Sequence, residues 1–321
     1  MRIFVAGIFA LGLLAAFAAS PSPGQSGPLL LVEPWPEGAY VHDRPSLQLW
    51  RTHTRDTDES VRFRLLEGAT RFRLDPTLDP SPTIGFEAYL LTIRSDDPAL
   101  PPRLADLSVG SAVLLHRSPN WTLALPFGGG FAGTRPFSDS RAWYGRASLI
   151  SLHELDEKSQ LLLALDYNGN RTLFPDIPLP GAAYVREVNE QLSMTLGVPY
   201  SALRWRPDER WQVNVTYRLL TQIDADVQYQ LTEDWSLFGA VENQRRAFHR
   251  HGDDRHRRLF FQQRRAEAGV RWQVLDRVEL LGAGGYSFGG KLERGFDVRN
   301  TDTLRRFGDS AYVRIGLSSA F

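Results

Sequence analysis

The last eleven residues of the chain alternate in character. Ala311, Val313, Ile315, Leu317, Ser319 and Phe321 fall on one face of an extended strand, and Tyr312, Arg314, Gly316, Ser318 and Ala320 on the other. A period of two is the mark of a strand with one apolar side and one mixed polar side. A closing strand of this kind, finishing on an aromatic residue, restricts the chain to few architectures. It predicts an outer-membrane β-barrel of a diderm bacterium. There Ile315, Leu317 and Phe321 would carry the assembly signal read by the barrel-assembly machinery.

The other end of the chain agrees. Arg2 supplies a charged start, Ile3 to Phe17 an apolar run, and Ala16-Phe17-Ala18 a small-x-small cleavage site, so residues 1–18 read as a signal peptide. The run is shorter than the roughly 20 residues a spanning helix needs. Residues 19–45 are rich in Pro, Gly and Ser and read as an extended periplasmic lead-in. The barrel is expected over 46–321.

The 321 residues hold 37 basic and 37 acidic side chains, which argues against nucleic acid as a partner. There is no cysteine, hence no disulfide scaffold, no thiolate metal site and no cysteine nucleophile. Mean hydropathy is −0.29, as expected when lipid-facing and lumen-facing residues alternate.

Hairpins are clearest in the C-terminal half. In WQVNVTYR, Trp211, Val213, Val215 and Tyr217 face outward and Asn214 and Thr216 inward; in IDADVQYQL, Ile223, Val227 and Tyr229 face outward and Asp224 and Asp226 inward. Short turns at 206–210, 231–234 and 274–277 alternate with long polar connections at 247–257 and 291–309, the arrangement of outer-membrane barrels. Trp121, Trp205, Trp211, Trp235 and Trp272 flank the short turns. An indole has an apolar body and one N–H donor, so these five read as a membrane-interface girdle.

Counting back from Phe321 gives an all-β, antiparallel, up-and-down transmembrane barrel of about twelve strands, with ten or fourteen as alternatives. Segments 47–54 and 61–66 would form the optional hairpin. Turn signals are weak from 169 to 193, which reads as a long outer loop able to fold into the lumen.

The phrases LGVPYSALRWRPDERWQVNVTYRLLTQ and YQLTEDWSLFGAVE resemble an uncharacterised, planctomycete-type family of predicted outer-membrane β-barrel proteins. The motif lies at Gly197, Pro199, Trp205, Pro207 and Trp211, and the resemblance runs from about Leu104 to Phe321. It implies fold and location and carries over no catalytic residue.

The inward charges are the candidates for function: Asp224, Asp226, Glu242, Arg265, Glu267, Arg271, Glu279 and Arg314. Opposed acidic and basic rows in a narrow lumen would set a transverse field that selects small polar solutes. The alternative is a salt-bridged interior that conducts nothing. The loop from His249 to His256 has enough ligand types for zinc. Arg250, Arg255, Arg257 and Arg258 favour a solvated loop that contacts lipopolysaccharide phosphates instead. Neither a metal nor a cofactor is expected. No G-x-S-x-G is present and no nucleophile can be paired with a base, so no enzyme is expected. Gly282, Gly284, Gly285, Gly289 and Gly290 read as a bending strand that leaves room for a neighbouring lumen side chain.

Overall fold

The computed structural model describes residues 39–75, 81–218, 222–254 and 256–321. Residues 1–18, expected to be a signal peptide, and most of the expected lead-in over 19–45 lie outside the described residues.

The elements are strands, joined at one point by a 3-10 turn at Ser140–Ala142. In chain order they are β1 Val41–Asp43, β2 Ser46–His53, β3 Ser60–Arg73, β4 Thr83–Arg94, β5 Arg103–Arg117 and β6 Trp121–Gly133. There follow β7 Trp143–Asp156, β8 Ser159–Asn168, β9 Leu179–Asn189, β10 Leu192–Val198, β11 Tyr200–Trp205 and β12 Trp211–Arg218. The last are β13 Gln222–Gln230, β14 Trp235–His249, β15 Arg258–Leu275, β16 Val278–Gly295, β17 Thr301–Arg306 and β18 Ser310–Ala320.

Each strand from β2 to β16 pairs antiparallel with the next, and β18 closes the sheet on β2 through Tyr312↔Trp50 to Gly316↔Ser46. Two staves are each built from two pieces. β1 continues β2 past Pro45, since both pair with β18 and β3. β17 and β18 lie end to end along β16. The barrel therefore has sixteen staves, not the twelve, ten or fourteen expected from sequence.

The additional staves have three local causes. In β3 the inward residues are apolar (Val61, Phe63, Leu65) and the outward ones are Arg62 and Arg64, the reverse of a water-lined barrel. In β9 the inward Ala183 and Val185 pack with Ile150 and Leu162, so both faces are apolar. β10 and β11 are joined through Pro199 alone, with no polar turn, and read from sequence as one strand. Segment 169–193 is thus a connection over 169–178 followed by β9 and the start of β10.

The first described residues at 39–41, the C-terminal Phe321 and the short connections at 118–120, 157–158 and 276–277 share one end, here the turn end. The loop end is different in cross-section. β14 leaves β13 after Asp224↔Glu242, and its last residue instead lies parallel to β6 at His249↔Gly133. Above that level β2–β6 and β14–β17 close on each other, and their inner faces form an apolar core. Phe63 stacks on Trp50 at 4.7 Å and meets Phe307 edge-on at 5.1 Å, with Phe248, Leu259 and Leu292 fully buried beside them. The connection 169–178 packs on the other face of the inturned strands, where Asn170 Nδ2 donates to the Ala247 carbonyl at 3.1 Å.

The outer wall carries Leu66, Phe86, Val109, Leu163, Val227, Val241, Val313 and Ile315, all exposed. Apolar exposure on this scale is not tolerated in water. A closed sheet with satisfied backbone and an apolar exterior is one of the two structures that can span a bilayer. The chain is a membrane-spanning barrel of the outer-membrane type.

Candidate functional site

Below the apolar core the wall encloses a cavity of about 330 Å³. The eight inward charges named from sequence all line it: Asp224 and Asp226 from β13, Glu242 from β14, Arg265, Glu267 and Arg271 from β15, Glu279 from β16 and Arg314 from β18. With Arg44 and Arg218 the lining holds five carboxylates and five guanidiniums.

Register decides how these charges meet. Asp224 stands directly opposite Glu242, an unfavourable cross-strand pair taken alone. Each carboxylate is relieved from its other side. Arg218 lies 3.7 Å from Asp224, and Arg265, opposite Glu242 on β15, forms a direct ion pair with it. Arg314 pairs with Glu267, its Nε donating at 3.1 Å, and the Tyr312 hydroxyl donates to the same carboxylate at 2.8 Å. Asp226 accepts from Asn214 Nδ2 at 2.9 Å, and Arg271 donates to Gln228 Oε1 at 3.1 Å. Arg265, Arg271 and Arg314 thus stand on β15 and β18, while Asp224 and Asp226 stand on β13.

One glycine of β16, Gly285, makes room for this network. A Cβ on Gly285 would fall 2.4 Å from the Tyr312 ring, so any larger residue would push the ring away from Glu267.

The cavity reaches from Glu279 and Ser318 near the turn end to Tyr200, Arg218 and Asp224 at the loop-side ends of β11, β12 and β13. Those strands have 6, 8 and 9 residues, whereas β15 and β16 have 18. A tilted spanning strand needs roughly 9–11 residues. The wall is therefore low where the polar cavity meets it.

Several charged residues of the interior were not singled out from sequence. Glu67 on β3 is 1% exposed and lies 3.6 Å from Arg265, so one guanidinium sits between two buried carboxylates. A second cluster lies beneath the inturned strands. Arg146 donates to Glu87 at 3.1 Å, Tyr144 to Asp106 at 2.7 Å and Arg246 to Asp106 at 3.4 Å, and the Arg246 guanidinium rests 4.4 Å over the Tyr89 ring. The signal was parity: Glu67, Glu87 and Asp106 occupy the same inward positions as their apolar strand neighbours.

The five tryptophans sit near the turn end, each 40–45% exposed, and Trp235 and Trp272 stack at 5.1 Å. At the terminus the Phe321 carbonyl accepts from the amides of Tyr40 and Val41, and Phe321 N donates to Val41 O at 2.9 Å. Ile315 is exposed on the outer wall, and Leu317 is half-buried. The His249–His256 connection is tied down: His251 N donates to Thr134 Oγ1 at 3.1 Å, and Arg294 pairs with Asp253 at 2.8 Å. Arg258 is buried and donates to the Phe296 and Arg171 carbonyls, so it does not face lipid. Arg255 lies outside the described residues. Among the described residues no group of three or more His, Asp or Glu side chains is arranged to hold a metal ion.

No family model matches the chain, and no curated protein matches it in sequence. Among solved structures it is similar to the toluene transporter TodX of Pseudomonas putida, at 10% identity and a TM-score of 0.41, covering 96% of this chain and 93% of that one. A FadL homologue of Pseudomonas aeruginosa is similar at 10% identity and 0.41, covering 88% and 91%. A triple mutant of the Rhodopseudomonas blastica porin is similar at 12% identity and 0.37, covering 88% and 100%. The barrel assignment rests on the strand pairing and the apolar exterior, not on these likenesses.

Proposed function

We propose that the protein is an outer-membrane channel for small polar solutes, with its short turns toward the periplasm. The observation that carries this reading is the gathering of eight inward charges from five strands onto one interior cavity. Basic side chains on β15 and β18 lie there among carboxylates on β13, β14, β15 and β16. Such a charged lining orders water and favours small solutes with complementary charge or dipole. The route runs from the periplasmic end along this lining to the low rim at β11–β13, passing beside the apolar core. The tryptophans support a periplasmic interface girdle, and the tie between Phe321 and Tyr40–Val41 supports a role for the terminus in assembly. The Gly197–Trp211 motif supports the planctomycete-type resemblance. No catalytic step belongs to this reading.

The test is conductance in planar bilayers. Folded protein, checked by heat-modifiable gel migration, should give discrete steps. An Asp224→Asn/Asp226→Asn variant should shift selectivity away from cations. Silence of folded protein at all voltages and salt concentrations would overturn the proposal.

A second reading rests on the apolar core that fills the loop end. With the outer mouth closed, the charged cavity becomes a salt-bridged filling and the barrel a structural envelope protein. The same bilayer experiment separates the two.

A further inference from the structure

Outward of the lipid-facing belt, β2–β5 carry a cluster of arginines. Arg62 stands directly opposite Arg94 on one side and Arg51 on the other. One outward step nearer the turn end, Arg64 is opposite Thr92, which is itself opposite Arg103. All five are exposed. Like charges in direct register repel. Arg51 donates to Ser60 Oγ at 2.9 Å, while Arg62, Arg64, Arg94 and Arg103 have neither ion pair nor side-chain hydrogen bond among the described residues. A sheet that places unpaired guanidiniums in register is stabilised by an anion lying across them, and guanidinium forks match phosphate.

The same strands carry a second feature below the arginines. An apolar groove of about 520 Å³ runs over the outer wall, bordered by Leu66, Phe86, Val109 and Trp143 and floored by Gly68 and Ala88. Gly68 and Ala88 are cross-strand partners. From Gly68 to Arg64 is two outward-facing steps, roughly 13 Å along the strand. Asp43, at the groove's margin, is engaged by the Thr70 hydroxyl at 2.5 Å. Small residues between bulky ones make a channel the width of a hydrocarbon chain. The arginines lie where that chain's headgroup would be.

We infer that this face of the wall binds one phosphorylated lipid of the surrounding leaflet, its phosphate across Arg62, Arg64, Arg94 and Arg103 and an acyl chain over Gly68 and Ala88. The occupant is a lipid and not a free anion, because the groove continues the lipid-facing belt and offers nothing to a soluble phosphate. The contact is independent of solute passage through the interior.

The test uses the full-length folded barrel in detergent, titrated with bis-phosphorylated lipid A and read by native mass spectrometry. Arg62→Gln/Arg94→Gln should weaken binding by about tenfold or more, as expected for loss of charge-assisted bonds to phosphate. Lipid A stripped of phosphate should bind the native protein equally weakly. Ala88→Phe should weaken binding by filling the groove, with the arginines intact. If it does not fold, the charge variant alone decides. Arg210→Gln, at the turn end, should bind as the native protein does. Unchanged affinity in the double arginine variant would overturn the inference. So would full displacement of lipid A by inorganic pyrophosphate, which would mark a site for a free anion.

Discussion

His249 of β14 lies in parallel register with Gly133 of β6, and its carbonyl oxygen accepts the amide of Thr134 at 3.0 Å. This contact holds the loop-side third of β14 away from β13 and closes the apolar core.

The contact depends on the missing side chain at 133. A Cβ there would meet Phe131 at 3.0 Å, Ala142 at 3.2 Å and the His249 carbonyl at 3.2 Å. Gly133→Val is therefore expected to prise β14 from β6 and loosen the core. Bilayer recordings should show larger or more frequent openings than the native protein, and amides of 243–249 should exchange faster with solvent. Unaltered conductance and exchange would show that the closure rests elsewhere.

The Arg265–Glu242 pair is buried, with Glu67 and Gln48 also contacting the guanidinium. Arg265→Met leaves two buried carboxylates without the cation they share, at a cost of about 3 kcal/mol. Glu67→Gln/Glu242→Gln/Arg265→Met should recover most of that loss, because all three charges leave together. Unfolding by urea in lipid vesicles measures both variants. A triple variant weaker than the single would contradict this account.

Asn214 and Val215 are sequence neighbours on opposite faces. Asn214 is 2% exposed and bonded to Asp226. Val215 is paired with Ala225 on the outward side. An arginine at Val215 meets lipid and should cost about 2–4 kcal/mol near the bilayer midplane. An arginine at Asn214 gains Asp226 as a partner and should cost less. Folding free energies in vesicles compare them. Equal costs would mean that the register has slipped by one residue.

At the loop end Arg305 donates to Asp97 and holds its carboxyl below the usual aspartate range; the Ala99 amide adds a further bond at 2.8 Å. A folded-state pKa below the unfolded value contributes stability above roughly pH 3.9, which is lost as the pH falls through the lowered value. A spin label at Asp96 should stay immobilised from neutral pH down to about pH 4 and become mobile only in stronger acid. In Asp97→Asn it should be mobile throughout. Mobilisation of the native loop near pH 6 would rule out this pair as its anchor.

The legible part of the fold was the part that obeys membrane-barrel patterning. β12 to β16 and β18 carry apolar residues outward and charges inward, so their facing and all eight cavity residues could be read from parity alone. Where the interior is a packed core, the rule inverts. Phe63 and Leu65 point inward between Arg62 and Arg64, as a soluble sheet would have it. Ala183 and Val185 erase the contrast in β9, and the turn at Pro199 carries no run of polar residues, only Ser201 bonded to the Gly197 backbone. β3 was legible only as half of an optional hairpin, β9 was missed, and Glu67, Glu87 and Asp106 on β3, β4 and β5 were passed over, because hydropathy reports lipid and water, whereas these inner faces meet neither.

The return of β14 to β6 gives one polypeptide two calibres. Barrel diameter grows with strand number: a ring of about eight staves is just filled by its own side chains, while one of about sixteen leaves an aqueous bore. This chain is wide at the turn end and narrow at the loop end, nine strands closing where sixteen began. It is a funnel whose spout is closed by its own aromatic rings, and a backbone seam between His249 and Gly133 holds that closure in place.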